Sequence, residues 1–244
     1  RFSLRYAFRS GWAGILSATR IMKERKRFET LFVDDLPPGE LLEIGCGAGN
    51  RLPLFSALGW RVMGQDIDAE AAAQAGRSRD VEIHVGPVEE LAARGRRFDA
   101  IVMNHVIEHV RDPVGLLRTC LAMLRSGGTV TCVTPNANSW GHRAFGVNWM
   151  GLDPPRHLTL FTPANLRTAA EMAGHSHPQV STSCANAQAF AVGSFEIESK
   201  GRYDMGGRPA WRSQFLSIVA QFRALNAFRR NPDSGDELIM RCRA

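Results

Sequence analysis

The 244-residue sequence contains no apolar run near the roughly 20 residues that a helix needs to cross a bilayer. It also lacks any Cys-x-x-Cys pair. Its five cysteines are scattered and odd in number, which argues against a disulfide framework or a zinc site. No segment near residue 1 shows the charged, apolar and small-residue regions of a secretory signal in order. These absences predict a cytoplasmic protein without a metal site, whose only membrane contact would be peripheral.

The composition is that of an ordinary globular protein, with 44% hydrophobic and 22% charged residues. The length fits one sizeable α/β domain with or without a cap, and is too short for two full-sized domains. The formal net charge is +6, concentrated near the two ends of the chain. Such runs fit solvated helix faces, an anionic substrate or a membrane surface. Nucleic acid is not expected, because no recognised binding motif accompanies the charge.

A glycine-rich stretch follows the first buried apolar run, at residues 41–49. An apolar segment typical of a parallel strand gives way to three glycines at alternate positions, and a helical pattern begins at Arg51. A side chain at Gly45 or Gly47 would hold a ligand off the backbone, and the N–H groups of the following helix would face that ligand. The pattern predicts a ligand site, with a merely tight structural turn as the alternative.

The spacing of the glycines separates two classes of ligand. The dinucleotide fingerprint G-x-G-x-x-G would need its third glycine where this chain has Asn50. The pattern found is G-x-G-x-G, with the acid Glu43 two residues before Gly45. A second acid, Asp66, ends the next strand 21 residues after Gly45, near the offset of a ribose-binding carboxylate in nucleotide-binding α/β folds. Asp68 fits the cap of the following helix better.

Residues 98–136 carry a third group of motifs. Phe98 begins a buried strand, Asp112-Pro113 starts a helix, Gly127-Gly128 is predicted to end it, and Pro135-Asn136 follows the next strand. Together with E-x-G-x-G-x-G at 43–49, this run resembles the F-D-x-I-x-x-x-x-V-x-E-H-x-x-D-P … L-x-x-G-G … P-N segment of class I S-adenosylmethionine (SAM)-dependent methyltransferases. The resemblance is to the type similar to ubiquinone-biosynthesis O-methyltransferases. It is strong over residues 40–175 and weak over the last strand.

The alternation of strands and helices, with this resemblance, implies an α/β, Rossmann-like, doubly wound fold with a mostly parallel seven-stranded sheet whose last strand is antiparallel. Strands are expected at residues 41–45, 60–66, 81–85, 98–104, 129–134, 179–183 and 237–242. Residues 1–38 are predicted as a helical N-terminal cap or arm. The predicted class I methyltransferase domain is 39–244, with a substrate loop at 136–161 and an insertion at 185–235.

The resemblance further implies a site for SAM, and for its product S-adenosylhomocysteine, at the carboxyl edge of the sheet. The expected cofactor residues are Glu43, Gly45, Cys46, Gly47, Gly49, Asp66, Ile67, Val88, Glu89, Asn104 and His105. The glycine turn would admit the amino-acid end of SAM, and Asp66 would accept both ribose hydroxyls. Relatives usually carry an acid after the glycine equivalent to Gly86, but this chain has Pro87. The backbone of Val88 or the side chain of Glu89 is expected to meet the adenine instead.

Methyl transfer from a sulfonium is an in-line displacement, so the protein mainly aligns two reactants and needs no metal. A hydroxyl acceptor benefits from a base, for which His157 and His109 are the candidates, although either could be a structural histidine. Glu108 is expected to complement a helix dipole. The loop 136–161 is predicted to act as a lid. Its expected hinges are the glycines Gly141, Gly146 and Gly151, and its expected acceptor-facing aromatic residues are Trp140, Phe145 and Trp149.

The expected function is SAM-dependent transfer of a methyl group to a small-molecule, glycan or lipid-like acceptor, at oxygen. Two hypotheses stay open beside it: a non-catalytic methyltransferase-like interaction subunit, suggested by Pro87, and a nicotinamide enzyme, disfavoured by Asn50. The protein is expected to be a monomer or homodimer. A helical apolar stripe near 209–228, with arginines beside it, fits packing on its own sheet, a dimer contact or an anionic membrane surface.

Overall fold

The computed structural model describes residues 20–75, 81–204 and 207–244, so half of the predicted N-terminal cap, residues 1–19, lies outside the described residues. The elements in chain order are α1 (Arg20–Glu29), β1 (Glu40–Ile44), α2 (Leu52–Ala57), β2 (Arg61–Asp66), α3 (Ala69–Ala75), β3 (Glu82–Val85), α4 (Val88–Ala93), β4 (Phe98–Asn104), α5 (Pro113–Met123), β5 (Leu124–Pro135), α6 (Trp140–Phe145), α7 (Pro163–Met172), β6 (Gln179–Ser183), α8 (Ala187–Lys200), α9 (Trp211–Arg230) and β7 (Glu237–Arg243).

The seven strands form one sheet in the order β3-β2-β1-β4-β5-β7-β6. β1 pairs in parallel with β2 and β4, β2 pairs in parallel with β3, and β4 pairs in parallel with β5. β7 runs antiparallel to both of its neighbours, β5 and β6. The predicted mostly parallel sheet with an antiparallel last strand is therefore confirmed. Because the chain passes from β3 back to β4 on the other side of β1, the carboxyl ends of β1 and β4 form the switch point at which such folds bind ligands.

Apolar side chains cover both faces of the sheet. Successive strand residues point to opposite faces, so Leu42 belongs to one core cluster and Leu41 to the other. The first cluster also contains Leu117 of α5 and Leu166 of α7, and the second contains Phe55 of α2. Helices thus lie against both faces, which confirms the doubly wound arrangement and holds the strand ends of the switch point in fixed positions.

The start of β5 differs from the prediction. The strand begins at Leu124, so Gly127 and Gly128 lie within it, whereas they were expected to end the preceding helix. The pairing of β4 with β5 shifts register between Phe98 and Ala100, which accommodates the additional β5 residues. Gly127 has a φ of +78°, a value that suits glycine in such an irregular strand.

Residues 136–161 contain more regular structure than the predicted loop. Helix α6 is followed by two 3₁₀ turns, Gly146–Asn148 and Met150–Leu152. The helix begins after Ser139, whose side chain accepts a hydrogen bond from the His142 N–H at 2.9 Å. Glycines and prolines conceal the short periodicity of these turns in the sequence, so the helical turns within the predicted substrate loop were not expected.

The predicted insertion between β6 and β7 consists of α8 and α9, which pack against each other. The buried side chains of α9 are small, namely Ser213, Ser217, Ala220 and Ala224. Its large apolar side chains are exposed and are termed the α9 stripe: Trp211, Phe215, Leu216, Ile218, Val219 and Phe222. The stripe therefore does not pack on its own sheet, which was the first of the three predicted roles. Within the described ranges, no helix has the length and apolar character needed to traverse a membrane.

Candidate functional site

The glycine turn lies at the carboxyl end of β1, and its glycines have φ values of +67°, +52° and +70°. Residues with side chains rarely adopt this left-handed backbone, which explains the alternate spacing. A Cβ added at Gly45 would lie 2.5 Å from the Val106 side chain, and one at Gly49 would lie 2.7 Å from Ala75. A Cβ at Gly47 would meet no atom of the described residues within 4 Å. The backbone of Gly47 therefore borders open space.

Asp66, the last residue of β2, holds the turn in place. Its Oδ2 accepts a hydrogen bond from the Gly47 N–H at 2.7 Å, and its Oδ1 accepts one from the Asp68 N–H at 2.9 Å. Each carboxylate oxygen retains capacity for a second donor, such as a ribose hydroxyl. Asp68 caps α3, since its Oδ1 accepts from the N–H groups of Glu70 and Ala71. The cap role of Asp68 is confirmed, and the ribose role of Asp66 stays a prediction.

Gln65 is a site residue that sequence reasoning missed. Its buried side chain donates from Nε2 to the Gly86 carbonyl at 2.7 Å and accepts at Oε1 from the Gly45 N–H at 3.4 Å. Its own carbonyl accepts from the Cys46 N–H at 2.9 Å. It thus ties the turn after β1 to the turn after β3. Nothing distinguishes it in the sequence, because one polar residue in a strand carries no periodic signal.

Glu43 lies within β1 and is 2% exposed. Its Oε1 is 3.8 Å from Nη1 of Arg51, and its Oε2 has no hydrogen-bond partner in the part of the chain that is described. Burial raises the pKa of Glu43 to about 7, although the Arg51 charge acts in the opposite direction. Because a buried oxygen without a partner is unfavourable, Oε2 is suited to a cationic or donating group of a ligand. The expected cofactor has such a group in its α-ammonium.

The other expected cofactor residues differ in what they can offer. Cys46 contributes backbone only, because burial first, and then the charges of Glu43 and Asp66, raise the pKa of its thiol to about 12. Val88 buries its side chain but begins α4, so its N–H is not used within the helix. The remaining side chains are half-buried or exposed at the same sheet edge, namely Ile67, Glu89 and Asn104. The turn, the two acids and the α4 start together fit SAM.

His105 follows β4 and has a φ of +54°, a strained conformation for a residue with a side chain. Its Nδ1 lies 3.1 Å from Glu108 Oε1 and its Nε2 lies 3.1 Å from Glu237 Oε1. Burial alone would lower the pKa of His105, but the hydrogen bonds and charges of the two carboxylates outweigh it and raise the pKa to about 10. The ring is therefore a cation that donates from both nitrogens, and it does not act as a base.

Glu237 is the second site residue that sequence reasoning missed. It is the first residue of β7, and because that strand is antiparallel, its start lies at the edge where the parallel strands end. Its Oε2 accepts from Asn186 Nδ2 at 2.7 Å. Phe190 of α8 places its ring 6.4 Å from that of His105. The insertion therefore contributes side chains to the site. An acid at the start of the last strand marks Glu237 as a candidate in the sequence, but no local pattern indicates its contact with His105.

Glu108 does not have the helix-dipole role that was predicted. It lies in a separate 3₁₀ turn, whereas α5 begins later, after the cap residue Asp112. Its side chain is 1% exposed and accepts from Thr134 Oγ1 at 2.8 Å, while its carbonyl accepts from the Leu158 N–H at 2.7 Å. Glu108 therefore joins the end of β4 to the segment that carries His157.

His109 and His157, the two candidate bases, lie edge to face with ring centroids 4.7 Å apart. His157 Nδ1 is 2.8 Å from the Gly151 carbonyl, and His109 Nδ1 is 3.0 Å from the Arg156 carbonyl. Since a carbonyl only accepts, we assign the proton of each neutral ring to Nδ1, which leaves Nε2 able to take a proton. Burial is the main influence on the pKa of His157 and lowers it. The structure thus brings both predicted bases together.

Glu108, His109 and His157 also form a group that could hold a divalent cation, termed the Glu-His-His cluster. One potential ligand atom from each lies within 4.8 Å of the others. Both histidines fix their rings through Nδ1 and backbone carbonyls, an arrangement common among metal-binding histidines. The sequence showed no metal-ligand spacing because His157 is distant along the chain from the other two. The chemistry of methyl transfer does not itself require a cation at this position.

The aromatic segment differs at Trp149, Gly141 and Gly151 from the hinged, acceptor-facing form that was predicted for it. Trp149 is 1% exposed and is stacked between His142, at 5.0 Å, and Phe190, at 5.8 Å. Because the ring is buried against these neighbours, it cannot also stack on an acceptor in this arrangement. A Cβ at Gly141 or Gly151 would collide with neighbouring side chains. Those two glycines serve close packing, which leaves Gly146, with φ of +54°, as the candidate hinge.

Comparison with known sequences agrees with this geometry. A family model described as a methyltransferase domain matches residues 17–176. The ubiquinone biosynthesis O-methyltransferase of Cereibacter sphaeroides is 34% identical over 119 residues, which cover 45% of this chain and 47% of that protein. The protein of the same name from Dinoroseobacter shibae is 30% identical over 146 residues, covering 55% and 58%. The chain spans about half the length of these curated relatives.

Solved structures share the fold at low identity. A SAM-dependent methyltransferase from Archaeoglobus fulgidus gives a TM-score of 0.60 at 15% identity, covering 96% of this chain and 100% of that one. Phosphoethanolamine N-methyltransferase 2 from Haemonchus contortus, in complex with S-adenosyl-L-methionine, gives 0.58 at 15% identity, covering 90% and 52%. These likenesses concern the fold alone.

Proposed function

This chain belongs to the methyltransferase domain family, with the class I SAM-dependent fold, and we propose that it transfers a methyl group from SAM to an oxygen of a small-molecule, glycan or lipid-like acceptor. Its cofactor is SAM. One observation carries the proposed placement of the cofactor: the open backbone at Gly47 and the unpartnered Oε2 of Glu43 lie beside the switch point of the sheet. The name of the curated relatives supports oxygen as the accepting atom.

SAM would supply a methyl group already activated on a sulfonium. In the proposed arrangement, the glycine turn receives the amino-acid end, with Glu43 toward the ammonium and Asp66 toward the ribose hydroxyls. Relatives usually contact the adenine through an acid at the position of Pro87. In this chain the N–H of Val88 would make that contact instead. The protein then contributes mainly alignment, which can lower a barrier by roughly 7 to 11 kcal/mol.

We propose that the base comes from the paired histidines. His157 is the better shielded, at 8% side-chain exposure, and burial lowers its pKa, which favours the neutral ring that a base requires. His109 is exposed and offers the lone pair that an acceptor would reach more directly. Each histidine is replaced separately, as His157→Gln and His109→Gln. The variant that removes the base should lose roughly 10² to 10⁴ in turnover while it keeps its SAM affinity and melting temperature. A histidine whose variant keeps full turnover is structural.

The remaining features of the proposal follow the sequence expectations. We keep the proposed domain of residues 39–244, with the segments 136–161 and 185–235 on the acceptor side; residues 1–19 of the predicted cap lie outside the described residues. We propose a cytoplasmic protein, which fits its scattered and buried cysteines. A nucleic-acid partner is not proposed, because the sequence has no nucleic-acid-binding motif. The proposed oligomeric state is a monomer or homodimer. A quinone-like acceptor is the first to test, given the name of the relatives.

Calorimetric titration with SAM, and separately with NADH, tests the assignment. SAM binding without NADH binding supports the methyltransferase, NADH binding supports a nicotinamide enzyme, and binding of neither supports an interaction subunit. Asp66→Ala should weaken SAM binding by about 1 to 3 kcal/mol, because two hydroxyls lose their acceptor. Asp68→Ala is the matched control: it removes the cap of α3, at a cost of about 1 kcal/mol in stability, and should retain SAM affinity.

An acceptor screen tests the second half of the proposal. Release of S-adenosylhomocysteine would be measured with catechol-like quinol precursors, glycans and lipid-linked acceptors. Turnover only on nucleic acid or on protein side chains would contradict the proposed acceptor class while leaving the cofactor assignment in place.

A further inference from the structure

Helix α9 has two chemically different faces. The face toward the protein carries serine and alanine, and Glu196 of α8 fixes its beginning by accepting from Ser213 Oγ at 2.6 Å and from the Ala210 N–H at 2.9 Å. At 100° per residue, Trp211, Phe215 and Phe222 project on the opposite side. They are 75%, 62% and 67% exposed. A helix that only packed on its own protein would turn these large side chains inward.

The charge of α9 is of one sign. Its 20 residues include four arginines, which are exposed, and no aspartate or glutamate. The arginines are Arg212, Arg223, Arg229 and Arg230. Arg212, Arg223 and Arg230 project about 60° to 80° from the centre of the stripe, all on one side. From this position long cationic side chains reach head groups while the apolar face is buried. A large apolar face with a one-signed cationic flank is typical of helices that lie in a lipid interface.

We propose that the α9 stripe docks this protein on an anionic lipid bilayer, with the helix lying parallel to the surface. The aromatic and aliphatic side chains enter the boundary between head groups and acyl chains, and the arginines contact the lipid phosphates. The proposal rests on the exposed faces and charge of α9 and does not depend on the methyltransferase assignment. It excludes the dimer contact as the main use of the stripe.

Charge complementarity favours a lipid surface over the two other possible occupants. Two copies of α9 packed together would place arginines against arginines, with no carboxylate in either helix to pair with them. The N-terminal residues 1–19 are also cationic, with Arg1, Arg5 and Arg9 and no acid. A surface of phosphate head groups has the opposite charge and attracts each nearby arginine.

The docking face is connected to the candidate site through α8. Phe190 of α8 contacts the rings of Trp149 and His105, while Glu196 on the same helix clamps the start of α9. Gln221 of α9 donates from Nε2 to the Cys184 carbonyl at 2.8 Å. The stripe is thus held in a fixed orientation relative to the site, so docking would also fix the orientation of that site relative to the membrane.

Vesicle co-sedimentation with the full chain tests the proposal. The probe is a vesicle of equal parts phosphatidylglycerol and phosphatidylcholine, with pure phosphatidylcholine for comparison. We expect binding to the anionic vesicles that is at least ~10-fold tighter, and that weakens as salt screens the charges. Phe215→Gln with Phe222→Gln, and separately Arg223→Gln with Arg229→Gln, should each weaken binding by ~10-fold or more.

Matched controls come from α7, where an exposed apolar residue, Met172, and an exposed arginine, Arg167, lie away from the stripe and can also be replaced by glutamine. Met172→Gln and Arg167→Gln should bind as the unaltered chain does. Quenching of Trp211 fluorescence by brominated lipid, lost in Trp211→Phe, would place the stripe in the bilayer. Melting temperatures of all variants should be unchanged, since every altered side chain is exposed.

Four results would overturn the proposal. The first is no binding to anionic vesicles at low salt, and the second is equal binding by the stripe variants and the α7 controls. The third is a concentration-dependent dimer in light scattering that the Phe215→Gln, Phe222→Gln variant abolishes, which would assign the stripe to a second copy of the chain. Vesicle binding that appears only after removal of residues 1–19 would likewise contradict docking by the full chain.

Discussion

Replacing Gly47 with alanine separates the cost of backbone strain from interference with a ligand. The added Cβ would meet no described atom within 4 Å, so folding is affected only through the φ of +52°. A side chain in the left-handed region costs about 1 to 2 kcal/mol. For a chain of this size, that corresponds to a fall in melting temperature of about 2 to 8 °C.

Gly95 provides a matched control for this strain. It has a φ of +71°, and a Cβ there would also meet no described atom within 4 Å. It precedes β4, at the end of the sheet opposite the glycine turn. Gly95→Ala should therefore melt at a similarly reduced temperature without touching the proposed cofactor site.

Calorimetric titration with SAM distinguishes the two variants. Gly47→Ala should bind SAM at least about tenfold more weakly, since displacing the ligand disturbs hydrogen bonds worth about 1 to 3 kcal/mol. Gly95→Ala should bind as the unaltered chain does. Equal affinity in all three proteins would show that the cofactor does not approach Gly47. A parallel loss in both variants would show that strain alone weakens binding, and either result would refute the placement.

Three further predictions concern protons and cations. If the Glu43 carboxyl, with its pKa near 7, meets the SAM ammonium, then binding at pH 7 should release a fraction of a proton, seen as a buffer-dependent calorimetric enthalpy that Glu43→Gln removes. Burial and then the Glu237 charge raise the pKa of Asp236 to about 7, above its unfolded value of about 3.9. The folded chain therefore holds that proton more tightly, and stability should fall as pH rises from about 4 through 7; Asp236→Asn should flatten this part of the denaturation curve. Dialysis against a chelator should leave turnover unchanged; a loss that one added divalent cation restores would assign the Glu-His-His cluster a metal role.

The sheet was predictable from the sequence because its signals are local. Each parallel strand is a short apolar run with a glycine, an aspartate or an asparagine near its end, and strand ends such as Asp66 and Asn104 were placed correctly. The role of Asp68 was also readable, since a cap depends on residues two or three positions away. Strand ends and helix caps could be predicted because they depend on residues that are near neighbours in the chain.

The contacts that complete the site could not be predicted, because they join distant segments. Glu237 pairs with His105 across 132 positions, and the pairing depends on where the antiparallel strand inserts. Trp149 was predicted to offer an aromatic face to an acceptor, yet it is buried and stacks with His142 and with Phe190. No pattern in one segment indicates which ring from another segment will stack on it.

The position of β7 has a consequence for the order in which the protein folds. In the described sheet β6 pairs with β7 alone, so β6 has no sheet partner until the final strand has inserted beside β5. Strands β1 to β4 pair only with one another and with β5, so their hydrogen-bonded pairing can form before β6 and β7 have been synthesised. Until β7 has inserted, β5 presents an open strand edge, and such an edge can pair with the wrong strand. Insertion of β7 beside β5 would therefore close this edge, give His105 its second carboxylate and bring Glu237 to Asn186 at the start of α8 in the same step.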